Sequence, residues 1–219
     1  MEPLRVAVIV PALNEEESID AVVRSVSAWG TPLVVDDGSS DRTGALAGRA
    51  GAQVLRHQMP RGYDAALETG FAEAARLGFR FAITFDADGQ HNASALPEFV
   101  RLLECGNDVV VGVRPRFARV SERLFALYTR SRYGVRDPLC WLKGYSLRLY
   151  AELGHFDSYR SIGTELMLYA ARTGRSLAQV RVDIASRHGA SGFGGSLRGN
   201  WRIARALGIT LVLRTRRCA

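Results

Sequence analysis

Short apolar runs alternate with segments of helical period along the first half of the chain. Val6–Val10, Leu33–Val35, Gln53–Leu55, Phe81–Phe85 and Val109–Val113 have strand length and scarcely alternate with polar residues. Such runs predict strands buried on both faces. Between them, Ile19, Val22, Val23 and Val26 recur at i, i+3, i+4 and i+7, and Leu96, Phe99, Val100 and Leu103 repeat that spacing. Each set would line one face of a helix, and Leu67, Phe71 and Ala74 give a sparser version. Asn14, with Glu17 three residues on, predicts a capping box that opens the first helix. Strand and helix in strict succession predict an α/β fold, a doubly wound and mainly parallel central sheet with helices on both faces. Ligands of such sheets bind beyond the carboxyl ends of the strands.

After Gly112 the pattern changes. An Arg-rich stretch precedes a predicted helix around Glu122–Arg132, and the loop Asp137-Pro138-Leu139-Cys140-Trp141 leads into residues 142–147. A further helix is predicted over Thr164–Thr173, stopped by Gly174, and Val180, Val182 and Ile184 alternate with Arg181 and Asp183 as a half-exposed strand. A glycine-rich segment runs from Gly189 to Gly195, and a last helix starts near Ser196. At about 100° per residue, Leu197, Trp201, Ala204, Gly208 and Leu211 share one face of it, with Arg198, Arg202 and Arg205 on the flank. With no repeat and no long linker, residues 1–219 read as one domain: a first half (1–113), a second half (114–195) and a basic amphipathic C-terminal helix (196–219).

Composition is that of an ordinary globular protein, 47% hydrophobic and 23% charged over 219 residues, which sets aside disordered, collagen-like and disulfide-scaffold classes. The net charge of +7 is local. Residues 1–180 hold 21 basic and 21 acidic groups, whereas eight arginines face one acid, Asp183, from Arg181 onward. A basic C-terminal helix without any DNA or RNA module points away from nucleic acid and toward an anionic membrane surface or a phosphorylated lipid. The apolar stretches 6–13 and 206–213 fall far short of the roughly 20 residues of a membrane span. Cys105, Cys140 and Cys218 are widely spaced and form no CxxC pair. The expectation is a reduced cytoplasmic protein, peripheral on the cytoplasmic face of the membrane, with no transmembrane segment in this chain.

Three polar clusters close predicted strands: Pro11-Ala12-Leu13-Asn14-Glu15, Asp36-Asp37-Gly38-Ser39 and Asp86-Ala87-Asp88-Gly89-Gln90. In one parallel sheet they converge on one crevice. Asp86 and Asp88, two residues apart on extended chain, can face one cation together, and Gln90 adds a neutral oxygen. Oxygen donors of this kind suit Mg²⁺ or Mn²⁺, which keeps positions open for substrate phosphates. Asp36 and Asp37 lack further oxygens for a second metal; such acceptors suit a ribose hydroxyl or the ring N–H of a base. The same Asp-Gly is also a turn, with Ser39 or Asp41 placed to cap the next helix. His91 and His188 have no ligand set, Ser39 and Ser191 have no His partner, and neither GxGxxG after the first strand nor GxxxxGK[ST] occurs, against dinucleotide oxidoreductases and P-loop NTPases.

The series Val10-Pro11-Ala12-Leu13-Asn14-Glu15, Asp36-Asp37-Gly38-Ser39, Gly62-Tyr63-Asp64-Ala65-Ala66, Asp86-Ala87-Asp88-Gly89-Gln90-His91 and Asp137 to Tyr145 resembles family 2 glycosyltransferases of the Rossmann-like GT-A fold. Within that family it looks most like the dolichyl- or polyprenyl-phosphate sugar transferases, such as mannosyl or glucosyl transferases. The resemblance implies that Pro11, Leu13, Asn14, Glu15, Asp36, Asp37, Gly38, Gly62, Asp86, Ala87 and Asp88 bind a UDP- or GDP-sugar. Asp86, Asp88 and Gln90 would hold the Mg²⁺ or Mn²⁺, with Asp88 and Asp137 catalytic. Arg114, Lys143, Glu165, Arg198 and Arg202 would face the acceptor or its phosphate. Relatives usually carry Gly where this chain has Trp141 and Arg where it has Gly192.

The reaction implied is displacement at the anomeric carbon with inversion, the nucleoside diphosphate leaving. A sugar hydroxyl as acceptor needs a base such as Asp137; a lipid phosphate is already an oxyanion and needs cations instead, for which Arg114, Arg116, Arg119 and Lys143 are available. An undecaprenyl- or dolichyl-type phosphate acceptor is therefore the first expectation, and a glycan hydroxyl in cell-surface polysaccharide synthesis the alternative. A sugar nucleotidyltransferase or a non-catalytic nucleotide-sugar-binding module is more remote.

Overall fold

The computed structural model describes residues 6–89, 93–117, 119–159, 161–183, 200 and 203–208. The expected roles of Gln90, Arg198 and Arg202 fall outside these residues. Among the described residues, seven strands form one sheet: β1 (Val6–Ala12), β2 (Thr31–Asp36), β3 (Gln53–Arg56), β4 (Phe81–Thr84), β5 (Val109–Val113), β6 (Lys143–Ser146) and β7 (Leu177–Arg181), in the order β3-β2-β1-β4-β6-β5-β7. All adjacent pairs are parallel except those of β6, which runs antiparallel to β4 and β5.

Helices α1 (Ile19–Val26), α2 (Thr43–Arg49), α3 (Tyr63–Arg76), α4 (Leu96–Glu104), α5 (Val120–Tyr133), α6 (Leu147–Leu153) and α7 (Glu165–Arg172) complete three layers. β1 shows how the layers are divided. Val6, Val8 and Val10 pack with Ile19, Val22, Val23 and Val26 of α1 and with Leu96, Phe99, Val100 and Leu103 of α4. Ala7 and Ile9, pointing the other way, pack with Leu67, Phe71 and Ala74 of α3 and with α5 to α7. The i, i+3, i+4 patterns of the sequence are thus the buried faces of α1, α3 and α4.

Four expectations need correction. β3 is an edge strand and only half-buried, because no strand among the described residues pairs with its outer side. The last strand begins at Leu177, ahead of the predicted Val180, since the ladder to β5 sets its register from Val109↔Leu177; Ile184 lies outside the described residues. Lys-Gly-Tyr-Ser forms the central strand β6 although it carries no apolar run, because β4 and β5 bury it from both sides. In the last helix, Ile203 and Ala206 enter the core while Ala204 is exposed. With apolar residues on several sides of a short segment, tertiary packing chose a different face from the one predicted.

Gly70 lets α3 lie close on β1: a Cβ there would sit 2.3 Å from Ile9 Cγ2. Gly70→Ala should cost about 1–3 kcal/mol through overpacking and lower the urea midpoint without changing the slope. An unchanged midpoint would show that α3 can move off the sheet without penalty.

Candidate active site

The strand order reverses direction between β1 and β4, and the loops after these strands open at that switch point, where open α/β sheets bind ligands. Asn14 is in the left-handed region (φ 55°). Its N–H donates to Ser39 Oγ (3.0 Å) and its Oδ1 accepts from the Ser40 N–H (2.9 Å), while Glu15 N–H donates to Thr43 Oγ1 (2.8 Å). The predicted capping box is therefore absent; α1 starts later, at Ile19, because Asn14 stitches the first loop to the second. Asp41 accepts from the N–H of Thr43, the first residue of α2 (2.9 Å), from one position before the cap, which Arg42 occupies without a side-chain bond. Pro11 is buried in β1, and Leu13 is 43% exposed at its end.

Asp36 and Asp37 are buried. Asp36 Oδ1 accepts from the Ser39 N–H (2.8 Å), and its Oδ2 lies 3.6 Å from Arg56 Nη1. Asp37 accepts from the Arg61 and Gly62 N–H groups (both 2.8 Å) and lies 2.6 Å from His57 Nδ1. His57 Nε2 is 2.9 Å from Thr69 Oγ1. Asp37 ties the loop before α3 to the end of β2. Sequence reasoning missed His57, which stands in no motif. Gly38 (φ 79°) passes tightly over the 59–60 peptide, where a Cβ would come 2.8 Å from Pro60 N.

At the end of β4, Ser18 Oγ donates to the Ala87 carbonyl (2.6 Å) and lies 3.2 Å from Glu15 Oε2. One hydroxyl thus bridges the two loops of the switch point. Tyr63 Oη donates to Asp86 Oδ1 (3.3 Å), and Trp141 packs edge-on against Tyr63 with ring centroids 4.9 Å apart. Surroundings poor in water and the nearby Asp86 charge hold the Tyr63 phenol well above its usual pKa, so it remains a donor. Asp86 and Asp88 are both half-buried. Among the described residues no group of three His, Cys, Asp or Glu forms a closed metal cage. Two carboxylates at a loop open to the crevice are nevertheless the donor set with which Mg²⁺ is held jointly by protein and substrate phosphates, and the residues fit such an ion.

The residues expected to face the acceptor separate into two groups. Arg114 donates from Nε and Nη2 to Asp137 (2.7 and 2.9 Å), its N–H donates to the same carboxylate (3.1 Å), and Nη2 lies 3.3 Å from Glu122. Asp137 is 0% exposed. The fold pairs Arg114 and Asp137, both expected to meet ligand, with each other. Further along the chain, Asp157 accepts from the N–H groups of Ser161 (2.9 Å) and Gly163 (2.7 Å), and Glu165 accepts from the Ser158 N–H (2.6 Å) and lies 2.9 Å from His155 Nε2. Glu165 therefore braces residues 155–158. Lys143 belongs with the second group, its Nζ donating to the Gly163 carbonyl (3.2 Å).

Burial lowers the Lys143 ammonium to about 8, and burial pushes the Cys140 thiol up to about 12, so Cys140 is no nucleophile. The unfolded chain holds the Lys143 proton to its ordinary value, so between about pH 8 and that value it binds more protons than the native state, and stability from this group rises with pH. Compared with wild type, Lys143→Met should be relatively more stable at pH 7 and lose that advantage by about pH 10, read as the difference in urea midpoints. A difference independent of pH would show that the ammonium is not desolvated.

Residues 7–163 match the family described as Glycosyl transferase family 2. An uncharacterized glycosyltransferase of Mycobacterium tuberculosis (strain ATCC 25618 / H37Rv) is 35% identical over 206 residues, covering 89% of this chain and 92% of the relative. A dolichyl-phosphate hexose transferase of Haloferax volcanii is 29% identical over 196 residues, 84% of each chain. Among solved structures, glucosyl-3-phosphoglycerate synthase from Mycobacterium tuberculosis in complex with Mn²⁺ and UDP-glucose superimposes with a TM-score of 0.75 at 24% identity, over 95% of this chain and 78% of that one. That likeness establishes the GT-A fold. With the family match spanning most of the sheet and all three strand-end clusters, the chain belongs to glycosyltransferase family 2.

Proposed function

We propose that this glycosyltransferase moves a sugar, with inversion, from a nucleoside diphosphate sugar to a polyprenyl phosphate. Asp86 and Asp88 would hold Mg²⁺ or Mn²⁺ on the donor diphosphate, where the ion would neutralise the charge developing on the leaving group. Tyr63 orients Asp86, and Ser18 fixes the Ala87 carbonyl between the two carboxylates. The edge of Trp141 on Tyr63 limits water at that point, which protects an oxocarbenium-like centre from hydrolysis.

The observation that carries the acceptor class is the Arg114–Asp137 pair. A hydroxyl acceptor needs a base within hydrogen-bond reach, and the carboxylate nearest that role is buried with both oxygens bound to Arg114. A phosphate oxygen attacks without one. The dolichyl-phosphate activity named for the Haloferax relative agrees with this reading. Nucleotide release should be measured over a panel of UDP- and GDP-sugars with a short polyprenyl phosphate or a glycan, with Mn²⁺ or Mg²⁺. Release stimulated by the lipid phosphate and suppressed by EDTA is the expected result; release stimulated by the glycan alone would replace the lipid with a hydroxyl acceptor.

A further inference from the structure

α5 is apolar on two opposite sides. Phe125, Ala126 and Thr129, with Glu122, face the protein interior. Val120, Leu124 and Leu127 are 69%, 56% and 65% exposed, and at the helical period they share an arc of about 60° diametrically opposite the buried face. Scattered exposed aliphatics need no explanation; three in one helical stripe, on a helix already anchored by its other side, do.

The stripe sits in a cationic field. From Arg114 to Asp137 the chain carries seven arginines and two acids, Glu122 and Asp137, and both acids meet the largely buried Arg114. Arg123 and Arg130 are exposed along one flank of the stripe and Arg132 along the other. The chain up to residue 180 is balanced in sum, so this excess is set off by acids gathered elsewhere. The helix also begins at the acceptor side of the crevice: Glu122, in its first turn, meets Arg114 of the Arg114–Asp137 pair, and Ser121 Oγ donates to Asn200 Oδ1 (2.6 Å), joining α5 to the C-terminal segment.

We propose that the outer face of α5 docks the protein on an anionic bilayer surface, with Val120, Leu124 and Leu127 entering the headgroup boundary and the flanking arginines pairing with lipid phosphates. This is the arrangement in which an amphipathic helix lies in the interface plane while long cationic side chains reach the polar layer. A second copy of the chain is a poorer occupant. Three side chains fall well short of the roughly 20–30 residues a side of a stable interface, and a symmetric contact would bring like-charged arginine flanks together. The predicted basic C-terminal helix is not the inserting element over its described part, because Ile203 and Ala206 are committed to the core. The inference rests on the lipid-phosphate reading of the acceptor, since it would bring that substrate to the rim where transfer occurs.

The test is co-sedimentation of the full chain with phosphatidylcholine vesicles containing or lacking phosphatidylglycerol. Wild type should bind only the anionic vesicles. Leu124→Glu with Leu127→Glu, and separately Arg123→Glu with Arg130→Glu, should each weaken binding at least about tenfold. Leu77→Glu, at an exposed apolar position on another surface, should leave binding unchanged. Turnover of a detergent-dispersed short polyprenyl phosphate should be the same in every variant, which separates failed docking from failed catalysis: absence of that turnover in wild type sinks the acceptor reading, not the docking face. Vesicle binding untouched by both α5 pairs, or abolished only by reversing Arg214, Arg216 and Arg217, would overturn the proposal. So would a wild-type dimer that Leu124→Glu with Leu127→Glu converts to monomer.

Discussion

Asp88→Asn should reduce nucleotide release by at least about a hundredfold, the scale on which preorganised charge at a developing anion contributes to catalysis. The argument is one of charge and donor geometry. The amide keeps the volume and one oxygen but withdraws one of the two negative charges proposed to hold the ion. Asp88 is half-buried on a loop beyond β4 rather than in the core, so the substitution should move the melting temperature by less than about 2 °C. Activity should be partly restored by raising Mn²⁺ if the residual Asp86 site still binds weakly. Full activity in the variant, or in wild type with EDTA, would remove the cation from the mechanism. Loss of activity together with a large fall in melting temperature would instead class Asp88 as a folding residue.

Arg114→Leu should destabilise the protein by about 3–5 kcal/mol, or about 10 °C in melting temperature for a domain of this size. The guanidinium is 11% exposed and is shared between Asp137 and Glu122, whose side chains are 0% and 5% exposed. Removing the cation leaves two buried carboxylates with much of their compensation gone, and Arg119, 3.4 Å from Glu122, reaches only the second. The accompanying substitution Asp137→Leu should recover part of the loss, because deleting both partners of a buried pair costs less than deleting one. A double variant no more stable than Arg114→Leu would mean that the pair is not the source of the effect. These stability readings separate a positioning pair from a group that only touches ligand, which could be removed with little change in melting temperature.

The layers of the fold were legible because they depend on periodicity. The apolar sets of α1 and α4 are buried as their spacing predicts, since a helix on a sheet can bury only one face. β6 was not legible: Lys143, Gly144 and Tyr145 become central strand residues only because β4 and β5 flank them, and such pairing leaves no local hydrophobic signature. The capping box failed for a related reason. Asn14 had two sets of partners within reach, and the nonlocal set around Ser39 and Ser40 prevailed. The outward stripe of α5 is present in the sequence at helical spacing, yet Val120, Leu124 and Leu127 cannot be told from core residues until the buried side of the helix is known.

The sequence by itself determined the fold class, the family and the convergence of polar clusters at strand ends, because these follow from motif order and from where strands stop. The tertiary structure decided which partners the individual charges meet. Asp86 and Asp88 remain half-buried beyond β4, whereas Asp36 and Asp37 are buried and accept from the Ser39 and Gly62 N–H groups, and Asp137 is paired with Arg114. All five are carboxylates in or beside motifs, and the chain order cannot rank them. A carboxylate's role depends on which donors reach its oxygens and how much water remains beside it, and both are set by residues far away in sequence.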